Sequence, residues 1–227
     1  MTRTLEMPWK RRLFMISEIL NQIRKTKIIA IVRNIPFEYL SGTLQALYQG
    51  GIRNVEITFN SPDTLEMIRF AREHYGTEML IGAGTVLDAE TARSAILAGA
   101  DFVLAPTLDI DTITMCSRYS RLAVPGTLTP TEILRACEAG AQLIKVFPVG
   151  PMGPHYIKDV LSPLPQVNLL PVGGVNLTNA DELFACGAFA LGVGSDLVDR
   201  KLIMNGEYSK ISSIAEKYMD IANKYVE

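Results

Sequence analysis

Lys145 is the residue whose sequence surroundings best suit covalent chemistry. It interrupts the apolar run of residues 143–147, and Gly140 and Gly150 bound the segment. A short apolar run between turn residues is typical of a buried strand. Burial disfavours the charged form of an amine, and a neutral lysine can attack a carbonyl carbon. The alternative is a structural lysine that is paired or reaches an edge, and this segment alone does not decide between them.

A second candidate is Glu56, which lies in the segment NVEITF, residues 54–59. Its alternation of polar and apolar residues has the period of a β-strand. If the apolar residues pack under helices, Glu56 and its neighbours Asn54 and Thr58 face the same interior as Lys145. A carboxylate and an amine that converge can act as general acid/base and nucleophile. The alternative is a buried structural ion pair.

Eight apolar, strand-like runs alternate with helical segments, and they must position these side chains. The runs begin near Lys27, Ile52, Met79, Asp101, Arg121, Ala141, Val167 and Ala188. Helical segments are predicted at residues 39–48, 62–73, 89–98, 130–139 and 179–186, the fourth beginning with the capping signal Thr129–Pro130–Thr131–Glu132. The alternation predicts an α/β fold, a closed (β/α)8 TIM barrel over about residues 27–200. The first run is followed by no GxGxxG, the usual mark of an open doubly wound sheet.

Two helices are predicted outside the barrel. Apolar residues at helical spacing indicate an N-terminal cover helix over about residues 11–25, preceded by a short lead. A second apolar stripe indicates a C-terminal helix over about residues 207–226, which could close the barrel bottom or meet a neighbour. The length suits a single domain, residues 1–227.

Composition narrows the classes of partner and cofactor. A net charge of −2 gives no basic field for nucleic acid, and no apolar run approaches the length of a membrane span. Cys116, Cys137 and Cys186 lack CxxC spacing, and no signal peptide is apparent, so we expect a cytoplasmic protein with reduced thiols. His74 and His155 belong to no pattern of metal ligands. We therefore expect no metal and no cofactor.

Glycines follow the last two predicted strands, directly before helix-like segments. They are Gly173 and Gly174 in one place, and Gly192 and Gly194 with Ser195 in the other. Each glycine group alone is a weak signal, because turns need glycine in any case. Backbone N–H groups at such loops can approach an anion, so the joint placement predicts a phosphate site at the usual position in a barrel.

Taken together, these motifs resemble the 2-keto-3-deoxy-6-phosphogluconate (KDPG) and 4-hydroxy-2-oxoglutarate (KHG) aldolase family. The likeness runs from about Lys27 to Val198 and rests on VEITFNSP around Glu56, GAGT at 82–85, IKVFP around Lys145 and VGG at 172–174. It implies a class I aldolase on a barrel, typically a homotrimer. The implied substrate is a 2-keto-3-deoxy-6-phospho sugar acid, which is cleaved to pyruvate and glyceraldehyde 3-phosphate. The resemblance also allows 4-hydroxy-2-oxoglutarate, which gives pyruvate and glyoxylate.

The same resemblance implies a role for each matching residue. Lys145 would form the Schiff base, and Glu56 would be the general acid/base. Arg33 and Thr85 would hold the pyruvate carboxylate or order water. The implied substrate-binding set is Arg33, Thr58, Thr85, Pro106, Phe147 and Val172, and the implied phosphate-binding set is Gly173, Gly174, Gly194 and Ser195.

Two positions differ from the gluconate-type members of that family. Asn60 stands where those members commonly carry arginine, and Val172 stands where they commonly carry threonine. Both residues are similar to the galactonate-type branch, whose substrate is the C4 epimer. Valine cannot hydrogen-bond, so it cannot favour one orientation of a C4 hydroxyl. A bifunctional member with relaxed specificity is the alternative.

Two other functions fit the same residues. A phosphosugar isomerase or epimerase would use Glu56 as base and Lys145 as an electrostatic clamp, without a covalent adduct. A non-catalytic sugar-phosphate binding protein would use the glycine loops alone. The sequence offers no separate regulatory or DNA-binding segment that would support this last role.

Overall fold

The computed structural model describes residues 8–226, with side chains from residue 15 onward. Residues 1–7, which belong to the predicted lead, lie outside the described residues. Short strands and helices alternate through the described part. The strands are β1 (Ile28–Val32), β2 (Asn54–Thr58), β3 (Leu80–Gly84), β4 (Phe102–Leu104), β5 (Leu122–Val124), β6 (Gly126–Thr127), β7 (Ile144–Val146), β8 (Leu169–Pro171) and β9 (Leu191–Val193).

The helices that connect and cover these strands are mostly short. They are α1 (Pro8–Thr26), α2 (Leu40–Gln49), α3 (Thr64–Tyr75), α4 (Ala89–Ala98), α5 (Ile110–Arg118), α6 (Pro130–Glu138), α7 (His155–Leu161), α8 (Ala180–Ala185), α9 (Arg200–Met204) and α10 (Tyr208–Asn223). Among these described helices, none combines the length and the apolar character that crossing a bilayer requires.

All strand pairs are parallel, which confirms the predicted α/β class. Six strands form a curled sheet in the order β5-β4-β3-β2-β1-β9, and three form a second sheet in the order β6-β7-β8. Each of the eight predicted runs contains a strand, but the fifth is divided into β5 and β6 at Pro125. Proline has no N–H to donate to a strand ladder, which explains the interruption. At the other side of the small sheet, Val172, directly after β8, forms an isolated parallel bridge with Gly192 in β9.

The five predicted helices between strands are confirmed within two residues at each end. α6 begins as its sequence predicted: Thr129 accepts a hydrogen bond from the Glu132 N–H, and the Glu132 carboxylate accepts one from the Thr129 N–H. No bounds were predicted for α5, α7 and α9. α7 has seven residues and α9 has five, too few for a helical period to show.

Buried apolar residues form two clusters, one on each face of the strands. On β1, Ile28, Ala30 and Val32 belong to the outer cluster, which packs against the helices, while Ile29 and Ile31 belong to the inner cluster. Side chains alternate along a strand, so each strand contributes to both. The two clusters therefore define an outer and an inner face of the sheet.

The N-terminal helix α1 covers the inner cluster, as predicted. Its residues Ile16, Ile19 and Ile23 pack into that cluster together with strand residues such as Phe102 and Leu170. Ile23 is fully buried. Burial of one such side chain contributes about 1.5–3 kcal/mol, so α1 is held mainly by this apolar stripe.

The C-terminal helix α10 packs on the same chain, against α2, α8 and α9. Ile211 and Tyr218 are fully buried in these contacts, and the Ser212 hydroxyl donates to the Ala46 carbonyl in α2 at 2.9 Å. The helix ends at Asn223, three residues before the predicted position 226.

Candidate active site

Lys145 is the central residue of β7 and is only 2% exposed. It pairs with Gly126 on β6, and the Thr127 hydroxyl donates to its backbone carbonyl at 2.9 Å. Its strand neighbours Ile144 and Val146 belong to the outer cluster. Because side chains alternate, the Lys145 amine enters the inner face, as its sequence predicted.

The ring of Phe147 lies beside this amine. The Lys145 Nζ is 4.8 Å from the ring centroid. The ring also abuts Gly173, where a Cβ atom would lie 2.9 Å from the ring carbons and where φ is +81°. Only glycine fits that conformation without strain. Phe147 therefore links the amine to the first glycine loop.

Glu56 is the central residue of β2 and is fully buried. It pairs with Ile31 of the inner cluster, while its neighbours Val55 and Ile57 belong to the outer cluster. Its carboxylate therefore also faces inward. A Cβ atom added at Gly84 would lie 1.6 Å from its Oε1, so glycine at this position leaves the space that the carboxylate occupies.

The two inner charges affect each other without direct contact. Neither oxygen of Glu56 accepts a hydrogen bond from any described residue. Burial raises the pKa of Glu56, and the positive charges of Lys145 and Arg33 oppose that rise. Burial also lowers the pKa of Lys145; the charge of Glu56 opposes this change and that of Arg33 adds to it. The Lys145 amine is therefore neutral more often than an ordinary lysine.

A cavity of about 720 Å³ lies at the carboxyl ends of β1, β8 and β9. This is a usual size for a small-molecule site. Lys145 and Glu56 are not part of the cavity lining, but Phe147, whose ring lies beside the Lys145 amine, is. The cavity brings together Arg33, Phe147, Val172 and both predicted glycine groups. Its lining is Ile31, Arg33, Asn34, Phe147, Val172, Gly173, Gly174, Val175, Asn176, Gly192, Gly194, Ser195, Asp196, Val198, Asp199 and Arg200.

Three predicted substrate-binding residues are not part of this lining. The Thr58 hydroxyl donates to the Val32 carbonyl at 3.3 Å and lies 3.2 Å from the Ser61 Oγ. Thr85 has a left-handed backbone with φ of +57°. The backbone of Pro106 abuts Gly126, the strand partner of Lys145. Thr85 and Pro106 therefore lie next to elements that carry the site, outside the cavity itself.

Charged residues that directly follow the second glycine loop were missed by the sequence reasoning. The Asp199 carboxylate accepts hydrogen bonds from the Lys201 and Leu202 N–H groups, at 2.6 and 3.2 Å. The Arg200 Nε donates to the Asn34 carbonyl at 2.8 Å. The Asp199 carboxylate is thus bonded to backbone donors. The positively charged residues of the lining are Arg33 and Arg200. Their one sequence signal is position, immediately after a predicted phosphate loop.

Two further observations bear on the choice of site. Among residues 8–226, no group of three or more His, Cys, Asp and Glu side chains could hold a metal ion. A second cavity, of about 700 Å³, includes Lys27, Asn168 and Phe189 near the amino ends of β1, β8 and β9, and none of the predicted site residues lines it.

Known proteins resemble this chain over most of its length. The 2-dehydro-3-deoxy-6-phosphogalactonate aldolase of Escherichia coli K12 is 36% identical over 174 residues, which cover 76% of this chain and 85% of that protein. The 2-dehydro-3-deoxy-phosphogluconate aldolase of Treponema pallidum is 31% identical over 210 residues, which cover 89% and 97%.

A solved structure shows the same fold. The KDPG aldolase of Legionella pneumophila, with pyruvate captured as a covalent carbinolamine intermediate, superposes with a TM-score of 0.79 at 25% identity and covers 86% of this chain and 94% of its own. The family model for KDPG and KHG aldolases matches residues 19–214. The matched stretch contains Glu56, Lys145 and both glycine loops, and the chain belongs to the KDPG and KHG aldolase family.

Proposed function

We propose that this aldolase is a class I enzyme that acts through a Schiff base on Lys145. The observation that carries the proposal is a buried amine of lowered pKa on the same inner face as a buried carboxylate without a hydrogen-bond partner. The pyruvate carbinolamine held by the Legionella relative supports covalent chemistry with pyruvate.

The proposed reaction begins with the neutral Lys145 amine. Its nitrogen lone pair forms a bond to the C2 ketone carbon, and loss of water gives an iminium. The C3–C4 bond then breaks, and its electron pair moves toward the iminium nitrogen. Glu56 accepts the C4 hydroxyl proton through water, since its oxygens have no hydrogen-bond partner among the described residues. The aldehyde leaves, the enamine takes a proton at C3, and hydrolysis frees pyruvate and the lysine.

The cavity suits a substrate with a negative charge at each end. We assign the carboxylate to the region of Arg33, whose charge acts on both Lys145 and Glu56. We assign the phosphate to the loops of Gly173 and Gly194, with the Arg200 guanidinium at the same cavity. Thr58, Thr85 and Pro106 do not line the cavity. We infer that they affect the substrate indirectly, by holding the elements that surround the cavity.

We infer that the preferred substrate is 2-keto-3-deoxy-6-phosphogalactonate, with the gluconate epimer and 4-hydroxy-2-oxoglutarate as further substrates. Val172 lines the cavity directly before Gly173 in the chain, and its side chain offers no hydrogen bond to a C4 hydroxyl. The relatives named above include both epimer types. A comparison of kcat/KM for the two phosphorylated epimers tests the inference, and a clear preference for the gluconate epimer would contradict it.

We also infer that the two sheets are parts of one closed (β/α)8 barrel in a single domain. β5 and β6 are separated only by Pro125, and Val172 bridges to Gly192, so the six-stranded and three-stranded sheets adjoin at both sides. A homotrimer is the assembly that the family resemblance implies. The exposed apolar side chains of Leu87, Leu97 and Ile110 are candidates for its interface. Light scattering that gives the mass of one chain would exclude the trimer.

Borohydride trapping with pyruvate tests the proposed mechanism. We expect one reduced pyruvate adduct, mapped to Lys145 by peptide mass, and its loss in Lys145→Ala and Lys145→Arg. Arginine fails because its guanidinium stays protonated. Lys158→Ala is the matched control, since Lys158 is an exposed lysine of α7, and it keeps the adduct.

Two results would overturn the assignment. An adduct on another lysine would remove Lys145 from its role. No adduct on the folded wild-type protein would favour the isomerase or epimerase, or a binding protein; turnover of a phosphosugar would separate these two.

A further inference from the structure

Tyr218 belongs neither to the catalytic pair nor to the cavity lining, but its hydroxyl contacts a residue that does line the cavity. Tyr218 lies on α10 and is fully buried. Its hydroxyl donates to the Asp196 Oδ2 at 2.5 Å. Asp196 directly follows Ser195 in the second glycine loop and lines the cavity. The C-terminal helix thus reaches the cavity wall through one carboxylate.

The same carboxylate oxygen also contacts the first glycine loop. The backbone N–H of Leu177 donates to the Asp196 Oδ2 at 3.3 Å. Leu177 follows Asn176, which lines the cavity, and Gly174 lies two residues before Asn176. One oxygen atom therefore joins α10 to both loops that bear the predicted phosphate-binding glycines.

This contact is well suited to hold a fixed geometry. Burial raises the pKa of Tyr218, and the hydrogen bond and charge of Asp196 add to the rise, so the hydroxyl stays a donor. A hydrogen bond to a charged acceptor is stronger than one between neutral groups. The hydrogen bond also directs the Asp196 carboxylate toward α10. A carboxylate directed into the cavity would instead repel an anionic substrate.

Other side-chain hydrogen bonds of the C-terminal segment reach α2 and α8. The Ser212 hydroxyl donates to the Ala46 carbonyl in α2, and the Tyr225 hydroxyl donates to the Asp181 carbonyl in α8 at 3.1 Å. Ala46 and Asp181 are not part of the cavity lining. Tyr218 is thus distinguished from Tyr225 by what its hydroxyl holds.

We propose that Tyr218, acting through Asp196, is a positioning residue that sets the separation of the two glycine loops and with it the affinity for the phosphate group of the substrate. The proposal rests on the proposed aldolase function and deepens it. It places the determinant of phosphate affinity in the C-terminal helix. Because the phosphate is bound before and after bond cleavage alike, the effect belongs in KM and leaves kcat nearly unchanged.

The test compares Tyr218→Phe with Tyr225→Phe, each of which removes one tyrosine hydroxyl. We expect Tyr218→Phe to raise KM for the phosphorylated substrate by roughly tenfold, the loss of one charge-assisted hydrogen bond. KM for 4-hydroxy-2-oxoglutarate, which carries no phosphate, stays the same. Tyr225→Phe changes neither KM. Equal changes for both substrates, or lower thermal stability with unchanged KM values, would show a merely structural role and overturn the proposal.

A second variant tests the path through the carboxylate. Asp196→Ala should raise KM for phosphorylated substrates, as Tyr218→Phe does. The double variant should have a KM no higher than that of Asp196→Ala alone. Additive losses would overturn the coupling.

Pyruvate trapping on the wild type and calorimetry with inorganic phosphate keep this proposal separate from the proposed function. Loss of trapping with intact, Tyr218-dependent phosphate binding would remove the aldolase and retain the positioning role. Normal trapping with phosphate binding that ignores Tyr218 would do the reverse.

Discussion

Two carboxylates are buried among the described residues, and the molecule holds them in opposite ways. Asp101, just before β4, accepts hydrogen bonds from Arg72 Nη1 at both oxygens, at 3.0 and 2.9 Å, and from the Ile81 N–H at 3.2 Å. Glu56, in the middle of β2, is more completely buried, and neither of its oxygens has a hydrogen-bond partner. The charge of Asp101 is therefore balanced by direct hydrogen bonds, whereas that of Glu56 is not.

The difference fits a structural role for Asp101 and the catalytic role proposed for Glu56. Burial raises the pKa of both carboxyl groups. At Asp101 this rise is opposed first by the charge of Arg72 and then by the Ile81 N–H bond, whereas at Glu56 only the non-contacting charges of Lys145 and Arg33 oppose it. A buried carboxylate without partners costs stability, so its presence at Glu56 points to function.

The largest difference between the two sites is expected when each carboxylate is neutralised in turn. Glu56→Gln keeps the side-chain shape and removes the proposed base, so we expect turnover to fall by about 10²–10⁴-fold with no loss of stability. Asp101→Asn should retain wild-type turnover but lower the free energy of unfolding by about 1–3 kcal/mol, because the hydrogen bonds to Arg72 and Ile81 are weakened. Steady-state kinetics and urea unfolding measure the two effects. Equal loss of turnover in both variants would contradict the division of roles.

A smaller effect is expected from neighbouring glycines on β3. A Cβ atom at Gly84 would lie 1.6 Å from the Glu56 Oε1, and one at Gly82 would lie 2.1 Å from the Phe102 ring. Gly84→Ala and Gly82→Ala should both destabilise the sheet by about 1–3 kcal/mol through overpacking. Only Gly84→Ala displaces the Glu56 carboxylate. Moving a catalytic group by about 1 Å can reduce turnover by roughly 10²-fold. Similar activities at equal folded fraction would show that the position of Glu56 is not critical.

The sequence predicted the residues whose environment is set by local pattern. The inward orientation of Lys145 and Glu56 was predicted because one charge in an apolar run and a period of two both specify a face of a strand. The capping signal of α6 is equally local. Asp196 and Arg200 were missed because their partners, Tyr218 and Asn34, are 22 and 166 residues away, and no local pattern encodes such contacts.

Arg33 offers the finest test, because it acts on the reactive pair through charge. Burial lowers the pKa of Lys145, Glu56 raises it and Arg33 lowers it. Arg33→Gln removes a positive charge, so the pKa of Lys145 should rise and the rate of pyruvate trapping should reach its plateau at a higher pH. Glu56→Gln removes a negative charge, so the plateau should begin at a lower pH wherever Glu56 is ionised in the wild type. Arg53→Gln is the control, since Arg53 lies against the Tyr48 ring and does not contribute to the lowered pKa of Lys145.

The measurement is the trapping rate at saturating pyruvate as a function of pH for the three variants and the wild type. Opposite displacements of the Arg33→Gln and Glu56→Gln curves would confirm that both charges tune one amine. Displacement in the same direction would contradict this electrostatic explanation. It would mean that each substitution changes the exposure of Lys145 to water, because burial is the largest influence on its pKa.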